Sequence, residues 1–133
     1  MIVPMVVDTD VVSYLFKNDT RAMPFRPLLT GKLLVVSFMT LAELDRWALI
    51  YHWGEGRKRR MEDHLRPYVV YHSDRDLCRR WAEVFNEAKL KGRPLSVTDA
   101  WVAATSLHTG YPLVTHNRKH YELIKGINLL PGG

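Results

Sequence analysis

Near its start the chain reads Ile2-Val3-Pro4-Met5-Val6-Val7-Asp8-Thr9-Asp10. The apolar run 2–7 is rich in β-branched residues and does not alternate with polar ones, which is typical of a strand buried on both faces. A carboxylate at the end of such a strand is partly desolvated unless a partner compensates its charge. The stretch therefore predicts a parallel sheet with Asp8 at the carboxyl end of its first strand.

Similar strands recur along the chain, separated by segments with the helical period. We expect further strands at 33–38, 68–71, 113–115 and 128–130, and helices at 11–16, 40–53, 57–66, 74–90 and 98–108. Strands that alternate with helices pair in parallel through right-handed crossovers. The sequence thus predicts an α/β fold: a three-layer α/β/α sandwich with a mostly parallel central sheet. It forms one domain over 1–133, with a frayed tail at 131–133.

Composition narrows the class of protein. The 133 residues are 47% hydrophobic and 25% charged, which excludes a disordered tail, a collagenous repeat and a disulfide scaffold. The formal net charge of +5 is compatible with a polyanionic partner. A single cysteine and the lack of a signal-peptide pattern predict a cytoplasmic protein, and the longest apolar run, 33–42, is too short to span a membrane.

A few polar residues fall where α/β folds gather functional groups. Asp8 ends the first predicted strand, and Glu43 lies one turn into the helix after the second. Asp99 lies at the start of the helix before the fourth strand, and Asn117 follows that strand. Strand carboxyl ends and helix amino ends meet at the same edge of a parallel sheet, so one crevice can hold all four.

Each acid also has a structural interpretation. The segments 40–43 and 96–99 match the capping box, in which the acidic residue bonds back to the start of its helix. Asp8 can cap the first helix, although Thr9 and Asp10 are better placed to do so. Capping is the more frequent role for Glu43 and for Asp99 taken singly, whereas Asp8 is harder to explain as a cap.

Taken together, the acids favour a charged ligand. Three carboxylates in one crevice repel one another and raise one another's pKa unless a cation compensates. Lys or Arg can supply that charge, and so can Mg²⁺ or Mn²⁺, which prefer oxygen ligands. A divalent ion among carboxylates binds a phosphate oxygen and activates water. His116 and His120 have no cysteine or third histidine beside them in the sequence pattern, so zinc is not expected.

Four segments of the chain resemble the PIN-domain endoribonucleases of the VapC toxin type, the toxins of type II toxin–antitoxin systems. The matching segments are Val6-Val7-Asp8-Thr9-Asp10-Val11-Val12, Ser37-Phe38-Met39-Thr40-Leu41-Ala42-Glu43-Leu44, Asp99-Ala100-Trp101-Val102-Ala103-Ala104 and Leu113-Val114-Thr115-His116-Asn117-Arg118-Lys119-His120-Tyr121. They come in the family's order and at its spacing, and they span nearly the whole chain.

The resemblance implies roles for individual residues. Asp8, Glu43 and Asp99 would be the acids that hold Mg²⁺, with Mn²⁺ as a substitute. Asn117 stands where many members have a fourth aspartate, which weakens the case for a second metal ion. Supporting positions would be Asp10 as an auxiliary acid and the hydroxyls of Ser37, Thr40 and Thr115.

Thr40 would position Glu43 or a phosphate, and Arg118 and Lys119, which flank Asn117, would contact RNA. The implied reaction is metal-dependent hydrolysis of an RNA phosphodiester that leaves a 5′-phosphate and a 3′-hydroxyl. The implied partners are the RNA, a small antitoxin protein that blocks the crevice, and a second copy of the chain in a homodimer.

Two other functions stay open at this point. The segment 8–12 fits the DxDx(T/V) pattern of haloacid-dehalogenase-type phosphatases, with Asp8 as nucleophile and Asp10 as general acid. That fold needs a late acidic pair, whereas the chain offers Thr115-His116-Asn117. The second alternative is a catalytically inactive RNA-binding or interaction domain.

Overall fold

The computed structural model describes residues 2–132; Met1 and Gly133, the two ends of the predicted domain, lie outside them. Within the described residues the strands are β1 (Pro4–Val7), β2 (Leu33–Ser37), β3 (Val69–Tyr71), β4 (Leu113–Val114) and β5 (Leu129–Leu130). The helices are α1 (Thr9–Lys17), α2 (Arg26–Leu29), α3 (Phe38–Ile50), α4 (Glu55–Leu65), α5 (Arg75–Leu90), α6 (Val97–Thr109) and α7 (Arg118–Tyr121), with a 3₁₀ turn at Thr20–Ala22.

The strands form one parallel sheet in the order β3-β2-β1-β4-β5. β1 lies at its centre, with Val6 opposite both Val35 of β2 and Leu113 of β4. The chain builds the sheet outward from β1 on one side and then on the other. The strand order therefore reverses at β1, where α/β folds open a crevice at the carboxyl edge.

Helices cover both faces of the sheet, which confirms the predicted three-layer α/β/α sandwich. Successive strand residues point to opposite faces, so Val6 packs with α5 and α6 whereas Val7 packs with α1, α3 and α4. In β2, Val35 packs on the same side as Val6, and Val36 packs on the same side as Val7. The central strands are apolar on both sides because both sides are buried, as the unbroken apolar run predicts.

Several element boundaries differ from the predicted ones for local reasons. β1 begins at Pro4 because Ile2 and Val3 are exposed. α3 begins at Phe38, two residues before the predicted start, because the Ser37 hydroxyl caps it by accepting from the Met39 amide at 3.1 Å. It ends at Ile50 because the chain turns at His52, which has a φ of 52°.

The C-terminal part adds a feature that periodicity does not predict. α7 is a single turn between β4 and β5, too short to leave a hydrophobic period. Arg118 of α7 donates from Nη1 to the Pro131 carbonyl at 2.5 Å, so a side chain holds the beginning of the predicted frayed tail. No helix within residues 2–132 combines the length and apolar character needed to cross a membrane.

Candidate functional site

Asp8 lies where the strand order reverses, at the junction of β1 and α1. Its amide continues the β1–β4 ladder by donating to the Val114 carbonyl at 2.9 Å. Its carboxylate accepts two hydrogen bonds of 2.8 Å, one from the Thr9 amide and one from the Thr115 hydroxyl. Asp8 is also the N-cap of α1. The prediction that Thr9 or Asp10 caps this helix is wrong, because the helix begins immediately after Asp8.

Asp10 and Asn117 meet across the β1–β4 junction. The Asn117 Nδ2 donates to Asp10 Oδ2 at 2.8 Å, and the Val11 amide donates to Oδ1 at 2.6 Å. The pairing of Val7 with Val114 sets this contact between residues 107 positions apart. Asn117 thus lies in the crevice, as the resemblance implies, rather than in a solvent-exposed turn.

Glu43 reaches the crevice from α3. Because Ser37 caps α3, Glu43 is the sixth residue of the helix, and the capping box predicted for 40–43 is wrong. Thr40 is fully buried, and its hydroxyl shares a hydrogen bond of 2.9 Å with the Thr9 hydroxyl. Burial raises the pKa of Glu43, and the Thr9 hydroxyl opposes part of that rise. Thr9, rather than Thr40, is therefore the hydroxyl that interacts with Glu43.

Asp99 is held by its backbone at one end and by two aromatic side chains at the other. Its amide donates to the Ser96 hydroxyl at 3.0 Å, which confirms Ser96 as the cap of α6. The Tyr121 hydroxyl donates to Asp99 Oδ1 at 3.1 Å. The Nδ1 of His120 lies 3.0 Å from Oδ2. The carboxylate therefore faces α7 instead of closing a capping box.

The electrostatics show that these acids share one crevice. Burial, with the charges of Asp10 and Asp99, raises the pKa of Asp8 from 3.8 to about 8. Burial also raises the pKa of Asp10 and of Glu43, and the charge of Asp99 raises both further. Because burial and neighbouring carboxylates both disfavour the ionised acids, a positively charged ligand would be favoured in this crevice.

The donor set fits a hard divalent cation. The acids offer only carboxylate oxygens, the ligands that Mg²⁺ and Mn²⁺ prefer. As the side chains stand within residues 2–132, no three His, Cys, Asp or Glu side chains enclose a common ion position. Coordination of one ion by Asp8, Glu43 and Asp99 therefore requires at least one oxygen of each carboxylate to move toward a common point.

The other predicted site residues take different positions. Ser37 is buried and caps α3, and no hydrogen bond in the described chain joins its hydroxyl to an acid of the crevice. Thr115 is buried and holds Asp8. Arg118 is engaged by the Pro131 carbonyl, whereas Lys119 is exposed at the rim of a cavity of about 400 Å³. That cavity opens beside Asp99 and is also lined by Arg93 and His120.

Sequence reasoning misses three residues of the site: Thr9, His120 and Tyr121. Thr9 carries one signal, a hydroxyl directly after the acid that ends a buried strand. His120 and Tyr121 carry none of comparable weight, because α7 has no periodicity and their partner Asp99 is more than twenty residues away.

Comparison with known proteins identifies the family. The PIN domain model matches residues 5–125. Ribonuclease VapC1 of Haemophilus influenzae strain R2866 is 32% identical over 120 residues, which cover 89% of this chain and 90% of that protein. The VapC ribonuclease Y4jK of Sinorhizobium fredii is 28% identical over 126 residues, with the same coverage of 89% and 90%.

Solved structures of VapBC proteins have the same fold as this chain. VapBC-1 from nontypeable Haemophilus influenzae matches with a TM-score of 0.79 at 30% identity, covering 95% of this chain and 96% of that one. VapBC2 from Rickettsia felis, bound to a DNA fragment from its promoter, has the same fold, with a TM-score of 0.82 at 20% identity and the same coverage. The chain belongs to the PIN-domain family, among its VapC-type ribonucleases.

Proposed function

We propose that this chain is the toxin of a VapBC-type toxin–antitoxin pair and cuts RNA by hydrolysis of internal phosphodiester bonds, with Mg²⁺ held by Asp8, Glu43 and Asp99. The observation that carries this proposal is the mutual electrostatic effect of these acids at the reversal of strand order. Such a group of carboxylates is unfavourable by itself and suits a divalent ion that binds phosphate.

The chain's own residues would orient the reaction. Thr115 and the Thr9 amide fix the Asp8 carboxylate, and Asn117 fixes Asp10 beside it. Glu43 reaches the crevice from α3, and because burial raises its pKa, a divalent ion beside it would favour its ionised form. A bound divalent ion supplies positive charge to the phosphate oxygens and makes a water more acidic. Hydrolysis of the phosphodiester would break the bond from phosphorus to the 3′ oxygen, which would leave with a proton as a 3′-hydroxyl, while the phosphate would stay on the 5′ side of the cut.

Partners follow from the same assignment. The VapBC structures that share the fold are toxin–antitoxin complexes, and we infer that a small antitoxin covers the crevice of this chain as well. We further propose a homodimer and a cytoplasmic location, where an RNA substrate is available.

The phosphatase alternative is disfavoured by the segment after β4. That class of enzyme needs an acidic pair there, whereas the chain has Thr115-His116-Asn117, and Asn117 bonds to Asp10 as a neutral amide. The match of the PIN domain model over residues 5–125 also supports the nuclease. Hydrolysis of p-nitrophenyl phosphate without any cleavage of RNA would restore that alternative.

The decisive experiment compares the wild type with Asp8→Asn on end-labelled RNA, with Mg²⁺ and with EDTA. We expect internal cuts by the wild type with Mg²⁺ alone, 5′-phosphate ends, and no cuts by Asp8→Asn. A parallel single-stranded DNA substrate tests whether the 2′-hydroxyl matters. RNA binding without cleavage by the wild type would instead support the inactive binding domain.

A further inference from the structure

We propose that Tyr121 is a positioning residue whose hydroxyl holds the Asp99 carboxylate in the orientation that binds the divalent ion. This inference rests on the proposed metal-dependent function and assigns a role to a residue outside the predicted acids. The role belongs to the hydroxyl alone, since the ring already has a place in the core.

The position of the hydroxyl is rigidly defined. Tyr121 is fully buried, and its ring packs with Val6, Ala100 and Leu113 between the sheet and α6. A tyrosine ring has two side-chain torsions, and close packing fixes both. The hydroxyl is therefore a fixed point from which it donates to Asp99 Oδ1 at 3.1 Å.

Packing does not explain why this residue is tyrosine. A buried hydroxyl costs free energy unless it is hydrogen-bonded, and phenylalanine would fill the same space without that cost. Tyr121 donates its one hydroxyl proton to the carboxylate of Asp99. Burial and the nearby charges of Asp8 and Asp99 raise the pKa of this hydroxyl, so the proton stays in place. The hydroxyl thus lies between two of the acids that are proposed to hold the ion.

The two partners of Asp99 differ in mobility. His120 contacts Oδ2, but 54% of its side-chain surface is exposed, so it can leave without opening the core. Tyr121 cannot. Oδ1 is accordingly the anchored oxygen, and Oδ2 is the one that can turn to a cation. Carboxylate ligands of metals are commonly oriented by such outer hydrogen bonds, whose loss weakens metal affinity about tenfold or more.

The chain offers a matched control in Tyr68. It is also a buried tyrosine, but it packs on the opposite face of the sheet with Met61 and Val36, and burial alone raises its pKa to about 12. Tyr68→Phe and Tyr121→Phe each remove one hydroxyl from a buried tyrosine and keep the ring. Only the second variant removes a hydrogen bond to an acid of the crevice.

The test is titration of Mn²⁺ into the wild type and both variants by calorimetry, with thermal unfolding in EDTA to check the fold. We expect Mn²⁺ to bind Tyr121→Phe about tenfold more weakly than the wild type and Tyr68→Phe equally well. A higher Mn²⁺ concentration should restore the ribonuclease rate of Tyr121→Phe, since the catalytic acids remain.

Three results would overturn the assignment. Mn²⁺ affinity of Tyr121→Phe equal to or above that of the wild type would leave the hydroxyl without a role. Equal weakening in both variants would trace the effect to general packing. A rate of Tyr121→Phe that stays low at saturating Mn²⁺ would exclude action through metal affinity. If the wild type binds no Mn²⁺ at all, the proposed function itself fails, which is a separate and recognisable outcome.

Discussion

At the scale of single residues, Asp8 shows how burial sets the behaviour of the crevice. Its pKa rises from 3.8 to about 8 because the carboxylate is buried beside Asp10 and Asp99. The same acid in the unfolded chain ionises near its ordinary value. The folded state therefore binds a proton more tightly than the unfolded state, and folding is favoured where Asp8 is protonated.

This shift predicts a pH dependence for the metal-free protein. The stabilisation is complete below pH 4 and is lost as the pH rises through about 8. Urea unfolding in EDTA between pH 5 and pH 8 should show the free energy of unfolding falling by about 1 kcal/mol per pH unit. Asp8→Asn should flatten that slope, because the amide does not titrate. A wild-type stability that rises over this range would contradict the assignment.

Glu43 allows catalysis to be separated from helix stability. It lies in the second turn of α3, beyond the reach of the cap at Ser37. Glu43→Gln should therefore change the free energy of unfolding by less than about 0.5 kcal/mol. If Glu43 holds metal, the same variant should lose at least about a hundredfold in RNA cleavage rate, as removal of a charged catalytic group does.

The matched control is Glu83→Gln, an exposed acid on α5. It should keep both stability and the cleavage rate. Full activity in Glu43→Gln would remove Glu43 from the catalytic acids.

At the scale of elements, α7 contributes to the site because it follows β4 directly and so lies at the carboxyl edge of the sheet. Asn117, the residue just before α7, makes no side-chain cap for this helix, and its side-chain amide donates to Asp10 instead. Asn117→Asp replaces that donor with a fourth carboxylate. We expect lower stability than the wild type near neutral pH without metal, because like charges then face each other.

With Mn²⁺ bound, we expect the added carboxylate of Asn117→Asp to be stabilising, because it becomes a further oxygen ligand for the ion. Calorimetry should show higher Mn²⁺ affinity for Asn117→Asp, and thermal unfolding should show a larger gain on adding the ion. Asn86→Asp, an exposed change on α5, should alter neither quantity. Equal affinity and stoichiometry in Asn117→Asp and the wild type would contradict a role for this position in the site.

The two basic residues of α7 should differ in their contribution to RNA binding. Lys119 is exposed at the cavity beside Asp99, whereas Arg118 is held by the Pro131 carbonyl. Each phosphate contact to a single strand contributes about 0.7 to the salt dependence of affinity. Lys119→Gln should lower that slope by about 0.7 in EDTA, and Arg118→Gln should lower it less. Lys89→Gln on α5 is the control, and a slope for Lys119→Gln equal to that of the control would exclude the contact.

Element types could be predicted because the central strands are buried on both faces and the longer helices on one. Ser96 could also be predicted as a cap, because Ser-x-x-Asp is a local pattern. The cap of α1 could not, since Asp8 serves the strand, the helix and the crevice at once. By local propensity, Thr9 and Asp10 are caps as good as Asp8. The contact of Asp8 with Thr115, which local sequence does not reveal, accompanies its role as the cap.

At the scale of the whole molecule, the sheet order gathers acids from distant parts of the chain. A cation that binds the folded crevice and not the unfolded chain stabilises the fold by mass action. At about a hundred times its dissociation constant, Mn²⁺ should add roughly 2.7 kcal/mol to the free energy of unfolding. Thermal unfolding should therefore shift upward with Mn²⁺ in the wild type and much less in Asp8→Asn. A melting temperature that ignores both Mn²⁺ and EDTA would contradict the metal site.

The placement of the acids in one crevice follows from the alternation of strands and helices, so the sequence predicts it without any contact being known. The hydrogen bonds that orient those acids do not follow. Thr9 with Thr40, and Tyr121 with Asp99, join elements whose separation depends on the packing of α3, α6 and α7. Such contacts are set by side-chain geometry, which no periodicity encodes.

The position of β1 at the centre of the sheet has a consequence for how the chain is made. Asp8 and Asp10 are translated before the residues that hold them, because Thr115 and Asn117 each come 107 positions later. During synthesis, these two acids therefore lack these hydrogen bonds until β4 and α7 have emerged. The proposed metal site would be oriented only from that point of synthesis onward.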